Sequence, residues 1–356
     1  MPDEARLFGA VVISLTAVWI LTPIARTIAM RTGLYDHPGG YKAHPAPTAC
    51  LGGAAVIGGF LLAVVTFGED VSRFWPILAG ALGLMVLGTL DDAFAVRPRY
   101  RIAAEIGAAT LLWHNGLGWT FLGSEFEELV LTSIWIVGFT NAFNLMDNMD
   151  GAASTVGAVC AVGIAAQALI VGNDVGVAVM ALALAGACLG FLRYNLRAGA
   201  PASIFLGDGG SMPIGFVVAA LPMTIPLDEQ LGWPVLLVAA LLLGVLVLDT
   251  LLVVVSRTRR GVALVTAGRD HLSHRLRVKL ASPRAVAAAL ALIQAAVAVV
   301  AIVAAQIGRT SIIVAALSCL TAGAVIVALL DSPQWAAGGW RAIAYEKREE
   351  RSTSDA

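Results

Sequence analysis

Charged side chains are scarce in this chain. Asp, Glu, Lys and Arg make up 13% of its 356 residues, against about 25% in a soluble domain, and the mean hydropathy is +0.83. Cysteine is rare as well, and its four positions show neither disulfide nor metal spacing, which argues against a disulfide scaffold and a zinc site. The first apolar run follows an acidic start, so we expect a membrane span there and not a signal peptide.

Apolar runs fill most of the chain. Most of them approach the roughly 20 residues that a membrane-spanning helix needs. Eleven runs are present, at about 7–25, 51–67, 75–90, 102–114, 127–143, 152–171, 176–192, 211–226, 233–255, 285–307 and 311–330. The sequence therefore predicts an all-α polytopic membrane protein with about eleven transmembrane helices. Residues 1–335 would form one transmembrane domain, and 336–356 a C-terminal tail.

Lys and Arg divide unevenly between the two ends of these runs. If successive runs cross the bilayer in alternate directions, twenty basic residues follow odd-numbered runs and three lie on the opposite side. Connections rich in Lys and Arg face the cytoplasm. The N-terminus is therefore predicted outside, and the C-terminal tail in the cytoplasm.

Polar residues cluster at predicted helix ends on this same side. The segment NAFNLMDNMDG (141–151) follows the fifth run and places Asn144, Asp147 and Asp150 at three-residue steps. A helical or turn-rich backbone would aim these side chains into one pocket. Acidic residues at a helix end are often only solvated boundary residues, but this density of carboxylates and carboxamides favours a functional site.

Two further acidic segments lie on that side. Asp91 and Asp92 end the third run, and adjacent like charges favour a bound cation. Asp208 stands in the glycine-rich segment FLGDGGS, just before the eighth run. Backbone N–H groups there could meet a phosphate at a helix N-terminus, with an ordinary glycine turn as the alternative. Hard oxygen ligands predict Mg²⁺, with Mn²⁺ as the second choice.

The connection at 256–284 holds eight basic residues and two histidines. His271 and His274 suit phosphate binding, while the arginines are equally typical of a loop on anionic lipid headgroups. Lys42, before the second run, could reach a substrate phosphate. Asp249, inside the ninth run, needs a buried partner, and we expect it to support the site.

These motifs resemble the polyprenyl-phosphate N-acetylhexosamine-1-phosphate transferases. The resemblance runs in order from Lys42 to Leu276, and its most specific parts are LDD at 90–92, NAFNLMDNMDG and FLGDGGS. Eleven predicted spans are similar to the bacterial GlcNAc-1-phosphate transferase branch, because the phospho-MurNAc-pentapeptide translocase branch typically has ten.

The resemblance implies a set of site residues. Catalytic roles would fall to Asp91, Asp92 and Asp208, and metal contacts to Asp147, Asp208 and Asp92. The substrate-binding residues would be Lys42, Asn144, Asp150, Asn195, Phe205, His271 and His274. The sequence departs from the family pattern at Asn148, where the family usually has Gly, and at Ser273, which replaces the middle histidine. The APTACLGG loop also lacks the usual second proline and basic residue.

The implied reaction joins sugar-1-phosphate from a UDP-sugar to polyprenyl phosphate at the cytoplasmic face of the cell membrane, with Mg²⁺ and release of UMP. Its partners would be the two substrates and membrane lipids, without nucleic acid, and a homodimer is compatible with it. Direct attack, with Asp91 or Asp92 accepting the lipid phosphate proton, competes with a two-step route through Asp208. The alternatives are translocase-type activity, a secondary transporter, a CDP-alcohol phosphatidyl transferase and an inactive scaffold.

Overall fold

The computed structural model describes residues 1–37, 46–68, 70–226, 231–264 and 268–335. The predicted binding residue Lys42 and the tail at 336–356 lie outside these described residues. Thirteen α-helices are present in the described ranges. They are α1 (Asp3–Thr32), α2 (Gly52–Phe67), α3 (Val71–Phe94), α4 (Pro98–His114), α5 (Glu125–Met146), α6 (Ala152–Gln167), α7 (Val175–Asn195), α8 (Asp208–Ala220), α9 (Val235–Leu242), α10 (Gly244–Arg260), α11 (Leu272–Arg277), α12 (Pro283–Ile307) and α13 (Arg309–Leu330).

Each of the eleven predicted runs coincides with one of these helices or helix pairs. Seven helices are long and apolar enough to cross a membrane, namely α1, α3, α5, α6 with its following π-helical turn, α7, α12 and α13. An eighth crossing arises if α9 and α10, which meet at a bend of 82°, form one broken span. The all-α membrane class is confirmed. The helices α2, α4 and α8 are shorter, so the count of eleven and the orientation stay predictions.

The central helix of the described bundle is α8. It packs against α3, α5 and α2, and every residue from Gly209 to Ala220 is buried. A helix that is apolar all round can be stable only when other helices surround it. Elsewhere, small residues permit equally close packing: a Cβ at Gly186 or Gly190 of α7 would collide with the backbone of α1.

A short antiparallel hairpin departs from the expectation of a purely helical chain. Strand β1 (Tyr35–Asp36) pairs with β2 (Thr48–Ala49). The chain then continues through Cys50, which forms an isolated bridge with Phe205. The Phe205 N–H donates to the Ala49 carbonyl at 2.8 Å. The connection between α1 and α2 is thereby fixed to the segment that enters α8.

The two ends of the bundle carry separate polar networks. At one end, Arg73 bonds the Asp174 carboxylate at 2.7 Å and the Thr224 carbonyl at 3.0 Å. At the other end lie the C-termini of α1, α3, α5 and α7 and the N-termini of α2, α6 and α8. All the motifs singled out in the sequence belong to this second end.

Candidate active site

A cleft of about 680 Å³ opens at this second end of the bundle. That volume suits a small-molecule ligand, since ligand pockets commonly span about 300–1,000 Å³. Its walls come from connections that are far apart in sequence. They include Tyr35, Asp36, Cys50, Asp92, Asp147, Asn148, Met149, Asp150, Asn195, Pro201, Phe205, Gly207, Asp208, Gly268, Arg269, His274, Arg277, Val278 and Pro283.

Asp92 ties α3 to the first turn of α8. Its carboxylate accepts the N–H groups of Asp208 at 3.1 Å and Gly209 at 3.2 Å. Side chains at Gly88 or Gly209 would prevent this approach, because their Cβ atoms would overlap the Asp208 carbonyl and the Thr89 hydroxyl. The glycines of FLGDGGS thus serve close helix packing. The Asp92 carboxylate accepts these two amides, which favours the ordinary glycine turn over the phosphate cradle.

Arg101, at the start of α4, joins the acidic residues of three helices. One guanidinium nitrogen lies 2.6 Å from the Asp91 carboxylate and 2.9 Å from that of Asp208. The other donates to the Asn144 carbonyl oxygen at 3.1 Å. Asp91 also accepts the Val96 N–H at 2.6 Å. Asp91 is therefore held beside the cleft by Arg101, while its neighbour Asp92 lines the cleft.

Asn144 holds the Asp208 side chain from the opposite direction. Its amide nitrogen donates to the Asp208 carboxylate at 2.7 Å and to the Ser211 hydroxyl at 2.8 Å. Each Asp208 oxygen thus accepts a bond, one from Asn144 and one from Arg101. This arrangement fixes the orientation of the carboxylate where α5, α4 and α8 meet.

The connection between α5 and α6 forms the acidic floor of the cleft. Burial and the charges of the Asp208 and Asp92 carboxylates raise the pKa of Asp147 to about 8. Asp150 accepts the Ala202 N–H at 3.0 Å. The turn ends at Gly151, whose φ of 77° favours glycine, and the Gly151 N–H donates to the Asn195 side chain at 2.7 Å. The buried Asn195 side chain therefore fixes the position of this turn.

A basic wall faces the acidic floor. It consists of Arg269, His274 and Arg277. Burial lowers the pKa of His274 to about 4, helped by the neighbouring His271 and the Arg269 charge. The His274 imidazole is therefore neutral near pH 7. The cleft thus presents a cationic edge made by two guanidinium groups and an imidazole that can accept or donate a hydrogen bond.

Helix α11, which carries His274, is anchored by buried hydrogen bonds. The His271 Nδ1 atom lies 2.9 Å from the Asp249 carboxylate, which also accepts the Leu272 N–H at 2.6 Å. Asp249 thus has the buried partner that the sequence required. The fully buried Arg275 donates to the Leu330 carbonyl at 2.7 Å. His271 is accordingly directed away from the cleft, into α10.

A second buried cluster supports the segment before α11. Asp270 accepts two bonds from Arg257, at 2.8 and 2.9 Å, and one from Arg260 at 2.9 Å. Burial alone would raise the pKa of Asp270, but the bonds and charge of Arg257 outweigh it and lower that pKa to about 2. Much of the basic connection therefore folds on itself through internal ion pairs.

The structure brings most of the sequence-predicted residues to one cleft. Those that line it are Asp92, Asp147, Asp150, Asn195, Phe205, Asp208 and His274. Asp91, Asn144 and His271 do not line the cleft. They bond Arg101, Asp208 and Asp249, respectively. Sequence reasoning missed Arg101, which was counted only as a cytoplasmic charge. Its position nine residues after Asp92, on the face where the next helix begins, was the available signal.

The acidic floor offers the oxygen donors that a hard cation prefers. Among the described residues, five carboxylates line the cleft, against two guanidinium groups, and the charges of Asp208 and Asp92 raise the pKa of Asp147. Among the described residues, no three His, Cys, Asp or Glu side chains form a ready-made metal site. The donor chemistry fits Mg²⁺ when water and substrate oxygens complete the coordination shell.

Comparison with known proteins assigns the chain to a family. A model of glycosyl transferase family 4 matches residues 74–225. The chain is 32% identical over 288 residues to a Bacillus subtilis protein named as a probable undecaprenyl-phosphate N-acetylglucosaminyl 1-phosphate transferase, covering 78% of this chain and 79% of the relative. The chain belongs to glycosyl transferase family 4. The resemblance seen in the motifs is thus confirmed.

Two other relatives represent two activities within the superfamily. The decaprenyl-phosphate N-acetylglucosaminephosphotransferase of Mycolicibacterium smegmatis is 32% identical over 311 residues, which is 77% of this chain and 75% of the relative. The phospho-N-acetylmuramoyl-pentapeptide-transferase of a Synechococcus species is 32% identical over 254 residues, with coverage of 64% and 67%. The family match at 74–225 spans α3 to α8 and so contains the acidic floor, whereas the basic wall lies beyond it.

Proposed function

We propose that this protein transfers GlcNAc-1-phosphate from UDP-GlcNAc to polyprenyl phosphate, releasing UMP and forming a polyprenyl-diphosphate-sugar. The observation that supports it most is one cleft with a carboxylate floor and a guanidinium wall. A cation on the floor would offset the repulsion between two anionic substrates, and Arg269 and Arg277 on the wall would bind phosphate oxygens.

The proposed metal is Mg²⁺, or Mn²⁺ in its place. Asp92, Asp147 and Asp208 would hold it, and the bound ion would neutralise charge on the diphosphate and on the UMP leaving group. Net acidity of the floor supports this assignment, because an anionic donor would otherwise be repelled from it.

The chemical step is direct attack by an oxygen of the lipid phosphate on the β-phosphorus of the UDP-sugar. The new P–O bond forms as the bond to the UMP oxygen breaks, and UMP leaves with both electrons of that bond. Asp92 accepts the proton of the lipid phosphate, since it lines the cleft and Asp91 is held by Arg101. Asp208 is less suited to nucleophilic attack, because its carboxylate is paired with the Arg101 guanidinium.

The acceptor lipid would approach from the apolar flank of the cleft. Phe94 and Leu145 lie two residues from Asp92 and Asp147, and they expose 77% and 47% of their surface. Such side chains suit contact with a polyprenyl tail or with bilayer lipid. We place the cleft at the cytoplasmic face of the cell membrane, and we retain eleven crossings. The support for both is that eleven alternating runs divide the basic residues twenty to three, in the sense of the positive-inside rule.

The test is release of UMP by purified protein supplied with Mg²⁺, polyprenyl phosphate and a panel of UDP-sugars. We expect release with UDP-GlcNAc and none with UDP-MurNAc-pentapeptide. The opposite preference would indicate translocase-type activity. That activity is the second candidate because of the similarity to the Synechococcus relative. Absence of UMP with every donor would refute sugar-phosphate transfer altogether.

A further inference from the structure

Two neutral side chains join the acidic floor to the opposite wall. The Ser273 hydroxyl donates to the Asn148 carbonyl oxygen across 125 residues of sequence. The Asn148 amide nitrogen in turn donates to the Leu145 carbonyl at 2.6 Å, at the end of α5. The bonds form a continuous chain from the backbone of α5, through Asn148, to α11.

The positions of the two residues give this link its meaning. Asn148 lines the cleft between Asp147 and Asp150, on the floor. Ser273 is completely buried in α11, directly before His274. Other hydrogen bonds of α11 and of His271 before it run to α10 and to the end of α13, through Asp249 and Leu330. The bond of Ser273 therefore ties α11 to the acidic turn itself.

We propose that Asn148 and Ser273 form a positioning pair that sets the width of the cleft. This inference rests on the proposed function, in which floor and wall grip the same nucleotide sugar. By fixing α11 to the floor, the pair keeps His274 and Arg277 close enough to contact the same bound diphosphate. Neither residue carries charge or titrates, so the link adds nothing to the crowded carboxylates and holds across the whole neutral range of pH.

The test is a cycle of Asn148→Ala, Ser273→Ala and the double variant. Loss of one neutral hydrogen bond corresponds to roughly a fivefold effect. We expect each single variant to raise KM for the UDP-sugar about fivefold or more. We expect kcat to change less than twofold and KM for the lipid to stay constant. The double variant should equal the singles, because the pair acts as one unit. Ser273→Thr, which keeps the hydroxyl, should restore KM.

Two further measurements keep the outcome interpretable. Thr258→Ala removes an exposed hydroxyl from α10 and is the matched control, with unchanged KM. Hydrogen exchange followed by mass spectrometry needs no turnover. Either single variant should speed exchange in α11 and in the turn at 147–151 together.

Three results would overturn the proposal. They are unchanged KM in both single variants, KM effects that multiply in the double variant, and exchange that increases on one side of the pair alone. If the wild-type protein releases UMP from none of the UDP-sugars tested, the proposed function fails. The exchange arm then still decides whether the two walls are coupled.

Discussion

Removing the Arg101 guanidinium is the perturbation that tests the site most directly. The side chain is only 19% exposed, and it contacts two carboxylates and one amide from three other helices. Arg101→Met preserves the length and apolar packing of the side chain but leaves Asp91 and Asp208 without their cation. Asp208 would then lose one of its two fixed hydrogen bonds.

The magnitude follows from the bonds that are lost. A hydrogen bond to a charged group contributes about 1.5–3 kcal/mol, and bonds in one network do not add fully. We therefore expect a loss of about 2–4 kcal/mol in transition-state stabilisation, which is roughly 30- to 1,000-fold in kcat/KM. The kcat/KM of Arg101→Lys should lie between those of wild type and Arg101→Met, because one ammonium group does not reproduce the planar guanidinium fork.

The assay is UMP release over a range of donor concentrations, with the melting temperature measured in parallel. Arg99→Met is the matched control on the same helix, since Arg99 is exposed and bonds only the neighbouring Tyr100 hydroxyl among the described contacts. The double variant Arg101→Met/Asp91→Asn should recover melting temperature without recovering turnover, because it removes an unpaired charge. Turnover of Arg101→Met within threefold of wild type would refute the assigned role of Arg101.

Three further predictions concern the floor, the metal and pH. Asp147→Asn and Asp208→Asn should each lower kcat by about 100-fold or more, with an unchanged melting temperature for Asp147→Asn, and near-normal turnover in both would remove the assigned floor. Chelation of divalent cations by EDTA should abolish UMP release, and added Mg²⁺ should restore it; activity that persists in EDTA would contradict the metal assignment. Asp270, with its pKa lowered to about 2, stabilises the fold fully above the unfolded pKa of about 4. That contribution, about 2 kcal/mol, is lost as pH falls from 4 through 2. The melting temperature of Asp270→Asn should therefore be lower at pH 7 and change less over that interval, and equal slopes for both proteins would contradict the Arg257 pairing.

The sequence by itself determined the class of the protein and the residues that gather at one end of the helical bundle. Hydrophobic runs set the helices because apolar length is a local property, and all eleven runs became helical. The family followed from short motifs such as NAFNLMDNMDG, which can be recognised because their residues are contiguous in sequence. Even the need of Asp249 for a buried partner could be predicted, since an isolated carboxylate inside an apolar helix is unstable.

Only the tertiary structure decided how the polar residues divide their tasks. Asp91 and Asp92 are adjacent in sequence, yet one is held by Arg101 and the other lines the cleft. His271 and His274 are separated in the same way. A helix rotates each successive residue by about 100°, so residues close in sequence meet different neighbours. Some of the decisive neighbours, such as Arg101 for Asp208 and Asn148 for Ser273, lie more than 100 residues away, where no local pattern can identify them.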